Sequence, residues 1–417
     1  MLKIVDEQRA GSDWPPVVVA SVFQTGLNLM RDLIHRGVTV IGIDCDSRNP
    51  GFHSVYGESH LCPDPDRSAV EWLEFMKTLA KRIGRRPLLI AASDQFVSAM
   101  GTHAAALKPY YIFSEEAVQV QAALATKEQQ YPLAERHGFP IPRTAYIQSA
   151  QQLIEFSRDA QFPCLLKPRH QREWDSLPVG NPLRGRKLIT GENLEELLGY
   201  YELARAYRPD VMAQEIIAGP DDAKYCYLSV YARDGSRLGY CVVREHRCNP
   251  VMFGSASLVE PIIDREIADV CDCFLRAIQY VGLCEIEVKR DARDGKVKLI
   301  EVNPRFSGTG DCARYMGVEV GWLHYLDMIG KRPEPMEAGE FDFLHVTLLR
   351  EVAAVPVYLR KGLLTFEGLL RSYRRPMKFY DFDARDWRVT TRTLWECGKI
   401  LGVEILRTLR LKAARPS

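Results

Sequence analysis

The chain has 417 residues, 46% of them hydrophobic and 26% charged, as expected for a soluble globular protein of roughly two or three domains. A formal net charge of +1 gives no global field that would point to nucleic acid, so we expect no nucleic-acid partner. No run reaches the roughly 18 apolar residues of a membrane span. The eleven cysteines include no C-x-x-C pair of the kind used at zinc sites, which favours free thiols in a cytoplasmic protein.

The N-terminal segment alternates strand and helix patterns. "PPVVVASVFQTGLNLMRDLIHRGVTVIGID" gives an apolar strand, a turn at Gly26, an amphipathic helix and a second strand, which predict a β-α-β unit. "RPLLIAASD" and "PYYIFSE" add predicted strands, so residues 1–124 are expected to form an α/β domain around a parallel sheet. The G-x-G-x-x-G fingerprint and the G-x-x-x-x-G-K-[ST] loop are both missing from the sequence, which disfavours nicotinamide and P-loop chemistry.

A domain boundary is predicted near residue 125, where Thr126 and Gln129 are spaced as a capping box for a short helix. Strands at "PCLLKP", "VMAQEII", "KYCYLSVYA" and "LGYCVVRE" follow, with helices at 192–206 and 264–280. They predict a mainly antiparallel α+β domain over residues 125–330.

The last segment, residues 331–417, begins with a proline-containing linker and ends in an amphipathic basic helix near 391–412. Residues 355–417 contain 14 Lys and Arg against 6 Asp and Glu, a net +8, which leaves −7 for residues 1–354. Leu394, Leu401 and other apolar residues lie near helical spacing, with Arg407, Arg410 and Lys412 at the end of the pattern. The helix could pack on the acidic body of the protein or dock an acidic protein or anionic lipid.

The richest stretch is "CEIEVKRDARDGKVKLIEVNPR", where two alternating segments flank Asp294-Gly295 and predict a hairpin. A three-residue loop over 293–295 would pair each residue i with residue 588 − i. Glu285 and Glu287 would then share a face with Glu301 and Asn303, and Arg305 would continue that row.

Two carboxylates facing each other repel, so this row predicts a cation between them. Mg²⁺ or Mn²⁺ suits the arrangement, because hard cations take oxygen ligands and often use one or two carboxylates together with substrate phosphates. The row also fits a different interpretation, a half-exposed hairpin face with salt bridges from Lys289 and Lys298.

In this hairpin and in the segments before it the sequence resembles the ATP-grasp superfamily, over residues 16 to 330. Within it the organisation looks most like the carboxylate-amine ligases that include D-aspartate ligase. The resemblance implies an ATP-grasp fold, α/β and α+β multidomain, preceded by an N-terminal parallel-sheet pre-ATP-grasp domain. Residues 125–212 would form the ATP lid subdomain and residues 213–330 the metal-binding subdomain.

The resemblance also implies roles for individual residues. The metal ligands would be Glu287, Glu301 and Asn303, beside Arg305 and Arg244 as the residues that meet the reacting phosphate or acceptor. The ATP-binding residues implied by the resemblance are Lys127 and Lys167 at the phosphates, Glu215, Ile216, Ile217 and Ala218 at the adenine, and Asp222 at the ribose.

The activity implied is ATP-dependent joining of a small-molecule carboxylate to an amine through an acyl phosphate, with release of ADP and phosphate. A homodimer is a family-based expectation. The basic loop at 169–186 would be a lid over the nucleotide, with Arg169, Arg172, Arg184 or Arg186 replacing the glycine-rich loop of many relatives. Two alternatives remain: a carboxylase of the biotin-carboxylase type, and a regulatory ATP-binding protein that acts through its basic C-terminal region.

Overall fold

A computed structural model describes residues 14–168, 174, 177–207 and 210–413 of the chain. The side chains of Lys127, Ile405 and residues 407–413 are outside the described part. The chain forms two compact units. The first contains residues 1–125, 220–287 and 302–417, and the second contains residues 126–219 and 288–301. The domain limits drawn from the sequence stay a prediction.

The first unit begins with a four-stranded parallel sheet in the order β3-β2-β1-β4. The predicted β-α-β unit is confirmed. The strands are β1 (Val17–Ala20), β2 (Val40–Asp44), β3 (Glu58–Leu61) and β4 (Leu88–Ala91). The helices are α1 (Gln24–His35), α2 (Ala69–Ile83), α3 (Asp94–Thr102), α4 (Ala104–Leu107) and α5 (Glu115–Leu124).

Strand β1 is the centre of this sheet because its four residues are all apolar and fully buried. The chain then turns sharply into α1. Ser21 adopts a left-handed backbone conformation with φ 81°. A Cβ on Gly26 would stand 1.8 Å from the carbonyl oxygen of Ser21, so this turn requires glycine at position 26.

The strand predicted at "PYYIFSE" is wrong. Only Ile112 makes a bridge there, to Leu88 of β4, and no strand forms among the described residues of the segment. The segment is apolar for another reason, because the ring of Tyr111 is fully buried in the core. The Tyr111 hydroxyl donates to the Met76 carbonyl at 2.7 Å.

A seven-stranded sheet follows, in the order β13-β12-β9-β10-β11, continued by two strands of the C-terminal segment, β14 (Leu344–Val346) and β15 (Met377–Phe379). The pairs β9–β10 and β10–β11 are antiparallel, as expected from the sequence. Its first five strands in chain order are β9 (Lys224–Tyr231), β10 (Arg237–Asn249), β11 (Ser255–Ile262), β12 (Gly282–Arg290) and β13 (Val297–Asn303). The helices between and after them are α9 (Arg265–Ala277), α10 (Thr309–Tyr315) and α11 (Val320–Met328).

One apolar core joins the two sheets of the first unit. It contains Val19 of β1, Leu29 of α1, Leu228 of β9, Phe306 in the segment after β13, and Leu323 of α11, all fully buried. The N-terminal sheet is therefore packed into the same interior as the large sheet, which fixes the loops that follow β1 and β4 against the residues that follow β13.

The C-terminal segment belongs to the large sheet. Strand β14 (Leu344–Val346) pairs antiparallel with β11, and β15 (Met377–Phe379) pairs parallel with β14. Helix α12 (Leu348–Arg360) packs on β10 and β11. Short helix α13 (Phe366–Ser372) and long helix α14 (Trp387–Ala413) complete the segment. Helix α14 covers the basic helix predicted near 391–412.

The second unit contains a four-stranded sheet in the order β5-β8-β6-β7, with antiparallel pairs throughout. Helix α6 starts one residue after Thr126, as predicted, although the Thr126 side chain makes no capping hydrogen bond. The elements are α6 (Lys127–Arg136), β5 (Thr144–Ile147), α7 (Ala150–Asp159), β6 (Cys164–Pro168), β7 (Ile189–Gly191), α8 (Leu194–Arg205) and β8 (Val211–Glu215).

Candidate active site

Three of the polar residues predicted on β12 and β13 converge. The amide nitrogen of Asn303 donates to Oε1 of Glu287 at 3.1 Å and to Oε1 of Glu285 at 3.5 Å. Asn303 and Glu285 are each only 6% exposed, and Glu287 is half-buried. The two carboxylates and the amide therefore lie on one face of the hairpin.

The hairpin loop is one residue longer than predicted. The Asp291 amide donates to the Lys296 carbonyl at 2.9 Å, and the Gly295 amide donates to the Asp291 carbonyl at 2.8 Å. Residues 292–295 thus form a four-residue loop, with Gly295 at φ 71°. A regular ladder continued from this pair would put Asn303 on the face away from Glu285, so the register must shift by one residue before Asn303.

The hairpin lysines have partners of their own at the loop end. Lys298 bridges Asp291 at 2.7 Å and Asp294 at 3.0 Å, and Lys289 donates to the Gly219 carbonyl at 2.6 Å. The two ion pairs of Lys298 therefore hold the hairpin loop, residues 292–295, in place. Glu301 lies on β13, half-buried, two residues before Asn303.

Glu285 is held by hydroxyl groups. Ser307 and Thr309, in the loop after β13 and at the start of α10, both donate to its Oε2 atom. Burial raises the pKa of Glu285, the carboxylate of Glu245 adds to that effect, and the two hydroxyls and Arg305 oppose it. Glu285 therefore holds the loop after β13 in place, and Glu287 is the more accessible of the two carboxylates.

Arg305 is held by Asp94, at the start of a helix next to the N-terminal sheet. Its Nε and Nη2 atoms bind the two carboxylate oxygens of Asp94 at 2.7 and 3.2 Å. Its Nη2 also donates to Oδ1 of Asn303 at 3.0 Å. Asp94 is the first residue of α3, directly after β4. The guanidinium is therefore oriented in a planar two-bond pair beside the carboxylate cluster.

Two further predicted residues, Arg244 and Asp222, bind each other. Nε of Arg244 donates to the Asp222 carbonyl at 2.7 Å, and Nη2 donates to its carboxylate at 2.8 Å. Lys224 lies in the same unit, buried between Glu245 at 3.1 Å and Cys248 at 3.2 Å. Burial opposes the charge of Lys224, but Glu245, Cys248 and a nearby aspartate raise the pKa of Lys224 above its ordinary value.

In the second unit, Lys167 is 9% exposed and donates to Oε1 of Gln214 at 3.1 Å. Gln214 in turn donates to the Thr144 hydroxyl at 2.8 Å, so the ammonium group is oriented by a short chain of hydrogen bonds across β6, β8 and β5. The buried ammonium group of Lys167 therefore has a polar partner inside the second unit. Lys127 begins α6, and its side chain is outside the described residues.

The predicted adenine segment follows β8. Glu215 accepts from the Gln161 amide at 2.8 Å, and Arg293 donates to the Ile216 carbonyl at 3.3 Å. The Ile216 amide also has a partner, the Pro163 carbonyl at 3.3 Å. Within the described part of the chain the amides of Ile217 and Ala218 make no hydrogen bond, which leaves them as donors for a flat heterocycle.

The basic loop before β7 has buried anchors that its sequence did not suggest. Trp174, Leu177 and Leu183 are each at most 3% exposed and belong to the core of the second unit. Arg184 and Arg186 are exposed. Arg169 and Arg172 lie outside the described residues.

Asp94, Ser307 and Thr309 were missed in the sequence. The two hydroxyl residues lie in "RFSGTG", directly after Arg305, where a strand ends and a helix starts, so their position beside polar strand residues was a usable signal. Asp94 had no such signal, because 211 positions separate it from Arg305.

The donor set suits a hard divalent cation. The side chains of Glu287 and Asn303 converge through the Asn303 amide nitrogen, and each also has an oxygen atom of the type that Mg²⁺ or Mn²⁺ takes, although Oδ1 of Asn303 accepts from Arg305 in this structure. Among the described residues, no group of three or more His, Cys, Asp or Glu side chains is arranged so that it could hold a metal ion. The proposed set is smaller, with two carboxylates and one amide.

No family model matches the sequence. The chain is 26% identical over 273 residues to D-aspartate ligase of Enterococcus faecium (strain Aus0004), across 62% of this chain and 63% of that relative. It is 24% identical over 180 residues to the arginine-specific large chain of carbamoyl phosphate synthase of Geobacillus stearothermophilus, across 41% of this chain and 16% of that relative. The chain thus spans less than two thirds of the length of these curated relatives.

Solved structures share the fold. An N5-carboxyaminoimidazole ribonucleotide synthetase in its ADP complex superposes with a TM-score of 0.63 at 13% identity, across 84% of this chain and 86% of the other. The biotin carboxylase domain of 2-oxoglutarate carboxylase from Hydrogenobacter thermophilus superposes with a TM-score of 0.58 at 15% identity, across 78% and 71%. The chain therefore has the ATP-grasp fold of these structures, and its sequence is similar to that of the curated D-aspartate ligase.

Proposed function

We propose that the protein is an ATP-dependent ligase that joins a carboxylate to an amine through an acyl phosphate. The observation that carries the proposal is the cluster of Glu285, Glu287 and Asn303 with Arg305 beside it. In this cluster two carboxylate oxygens accept hydrogen bonds from the Asn303 amide nitrogen, and the Arg305 guanidinium donates to the oxygen of the same amide. Such a combination suits a triphosphate whose terminal phosphoryl group is transferred.

ATP as the nucleotide is supported by the fold neighbours, among them the Staphylococcus aureus N5-carboxyaminoimidazole synthetase complexed with ADP and an Aspergillus relative complexed with ATP. In this chain we assign Lys127 and Lys167 to the phosphates and the backbone of Ile217 and Ala218 to the adenine. Asp222 is assigned to the ribose. It is 43% exposed, and its pair with Arg244 would open or adapt when a ribose hydroxyl binds.

Glu287, Glu301 and Asn303 are proposed to hold the divalent cation. When bound, Mg²⁺ or Mn²⁺ would neutralise phosphate charge and orient the β- and γ-phosphates. Asn303 would present its amide oxygen to the cation, which requires rotation of the amide away from the orientation that donates to Glu287 and loss of the hydrogen bond from Arg305 to Oδ1.

The chain's own residues supply position and charge. The substrate carboxylate attacks the γ-phosphorus, the bond to the leaving ADP oxygen breaks, and the acyl phosphate forms. The amine then attacks the carbonyl carbon, phosphate leaves, and the nitrogen loses a proton. Arg305 and Arg244 are proposed to neutralise the charge that builds on the transferred group, while Lys167 holds the nucleotide phosphates.

The test is a mass-spectrometric screen of pooled amines and carboxylic acids, bicarbonate included, with ATP and Mg²⁺. We expect a product lighter by one water than its two substrates, formed together with ADP and phosphate. ATP bound tightly with no release of ADP or phosphate in any mixture would contradict the proposal and favour a regulatory ATP-binding protein. A product that requires bicarbonate would identify the carboxylase alternative.

A further inference from the structure

The long C-terminal helix α14 has one buried side. Val389, Thr390, Thr393 and Cys397 are each at most 9% exposed, and they recur at helical spacing on the side that packs against α12. An ion pair between Arg360 of α12 and Glu404 supports this packing further along the helix. The opposite side of α14 therefore faces away from the protein.

The outward side carries two neighbouring rows. The first contains Trp387, Leu394 and Leu401, spaced seven residues apart and 58%, 47% and 46% exposed. The second contains Arg388, Arg392, Trp395 and Lys399, in which Trp395 is 69% exposed. Gly398 and Gly402 add no bulk, and a Cβ at either would meet nothing within 4 Å. Exposed apolar rings and basic side chains thus line one accessible face.

A groove of about 430 Å³ adjoins the first turn of this face. Its lining combines aromatic and basic side chains and includes no carboxylate. Arg388 and Arg392 form no salt bridge with described residues, and burial together with the charge of Arg392 lowers the pKa of His53. Such a groove favours an anion beside an aromatic ring. The lining residues are Phe52, His53, Trp387, Arg388, Thr391 and Arg392.

The charge of this region decides between the possible occupants. Residues 355–417 carry a net +8, so two copies of the protein would repel if they met through α14. Leucine and tryptophan side chains exposed next to arginine and lysine match the interface of an anionic bilayer, where aromatic rings lie at headgroup level. The described helices include none that is long and apolar enough to cross a membrane.

We propose that α14 is a docking surface for an anionic lipid bilayer. Headgroup phosphates would occupy the groove at Arg388 and Arg392, and Trp395, Leu394 and Leu401 would enter the interface without spanning it. The helix lies flat, because its inner side stays on α12. This surface contains none of the residues assigned to ATP or to the metal, so docking does not depend on the proposed ligase reaction.

The test measures co-sedimentation of the full-length protein with vesicles of phosphatidylglycerol and phosphatidylcholine, compared with phosphatidylcholine alone. We expect binding to the anionic vesicles only. The Arg388→Gln/Arg392→Gln variant should bind roughly 25-fold more weakly, since each basic residue near such a surface contributes about fivefold. Trp395→Glu should weaken binding at least about tenfold.

Matched controls come from α2. Lys81→Gln/Arg82→Gln removes the same charge from an exposed helix elsewhere, and Val70→Glu replaces a residue that is 76% exposed. Both should bind like the unchanged protein. The proposal would be overturned if the protein bound neutral vesicles equally well, or if the control variants lost as much binding as the α14 variants. It would also be overturned if excess inorganic phosphate at constant ionic strength released the protein while Trp395→Glu left vesicle binding unchanged. A dimer in solution that Trp395→Glu dissociates would overturn it in favour of a second copy.

Discussion

Removal of the Glu351 carboxylate should destabilise the protein strongly. Glu351 of α12 is 3% exposed and accepts from Nε of Arg247 at 2.8 Å, from the Ser257 hydroxyl at 2.6 Å and from the Tyr373 hydroxyl at 2.6 Å. Arg247 of β10 is 4% exposed. In Glu351→Ala the guanidinium would remain buried without a counter-charge, which costs about 3–5 kcal/mol of unfolding free energy.

The assay is urea unfolding followed by far-UV circular dichroism and tryptophan fluorescence. Arg247→Met/Glu351→Leu is the informative second variant, because replacing both charges by apolar groups removes the uncompensated one. We expect the double variant to lose less unfolding free energy than the sum of the losses in Arg247→Met and Glu351→Leu, by at least about 2 kcal/mol. A loss below about 1 kcal/mol in Glu351→Ala, or strict additivity of the two changes, would show that this buried pair is not what joins α12 to the sheet.

Three further outcomes are expected. Glu287→Gln should stay folded and lower substrate-dependent phosphate release at least about 100-fold, whereas Glu58→Gln, exposed on β3, should not. Lys167→Met should raise the KM for ATP about tenfold or more, with the exposed Lys187→Met as the control for lost charge. His324 has a buried Nδ1 without a hydrogen bond to described residues, and burial lowers the pKa of His324 to about 4. Because the unfolded chain takes up that proton near pH 6.5, stability should fall as pH drops from about 6.5 to 4, by about 2–3 kcal/mol, and His324→Gln should remove most of that pH dependence in urea titrations.

Local patterns predicted those parts of the fold that local patterns determine. β1, α1 and β2 follow from an uninterrupted apolar run, a turn and an amphipathic period, and each is present. The hairpin was found from its Asp-Gly turn, yet its loop length was wrong, because three- and four-residue loops both accommodate a left-handed glycine. "PYYIFSE" was mistaken for a strand because a buried ring gives the same apolar signal as a strand residue.

Long-range features were not available from sequence. Strands β14 and β15 have three residues each, too few for a period to appear, and they exist because β11 offers an edge. The pair of Arg305 with Asp94 joins segments that are 211 positions apart in the chain. The convergence of Glu285, Glu287 and Asn303 was predicted from a three-residue loop, but with the observed four-residue loop it requires a register shift before Asn303, which the sequence did not indicate.

The position of β14 has a consequence for shortened forms of the protein. A chain shortened to end at residue 330, before the predicted linker, would leave the backbone donors and acceptors of β11 that pair with β14 unpaired along an open sheet edge. Open edges recruit strands from other molecules, so such a chain should precipitate or form aggregates. A relative that lacks this C-terminal segment must therefore protect the same edge with another strand, a helix or a charged bulge.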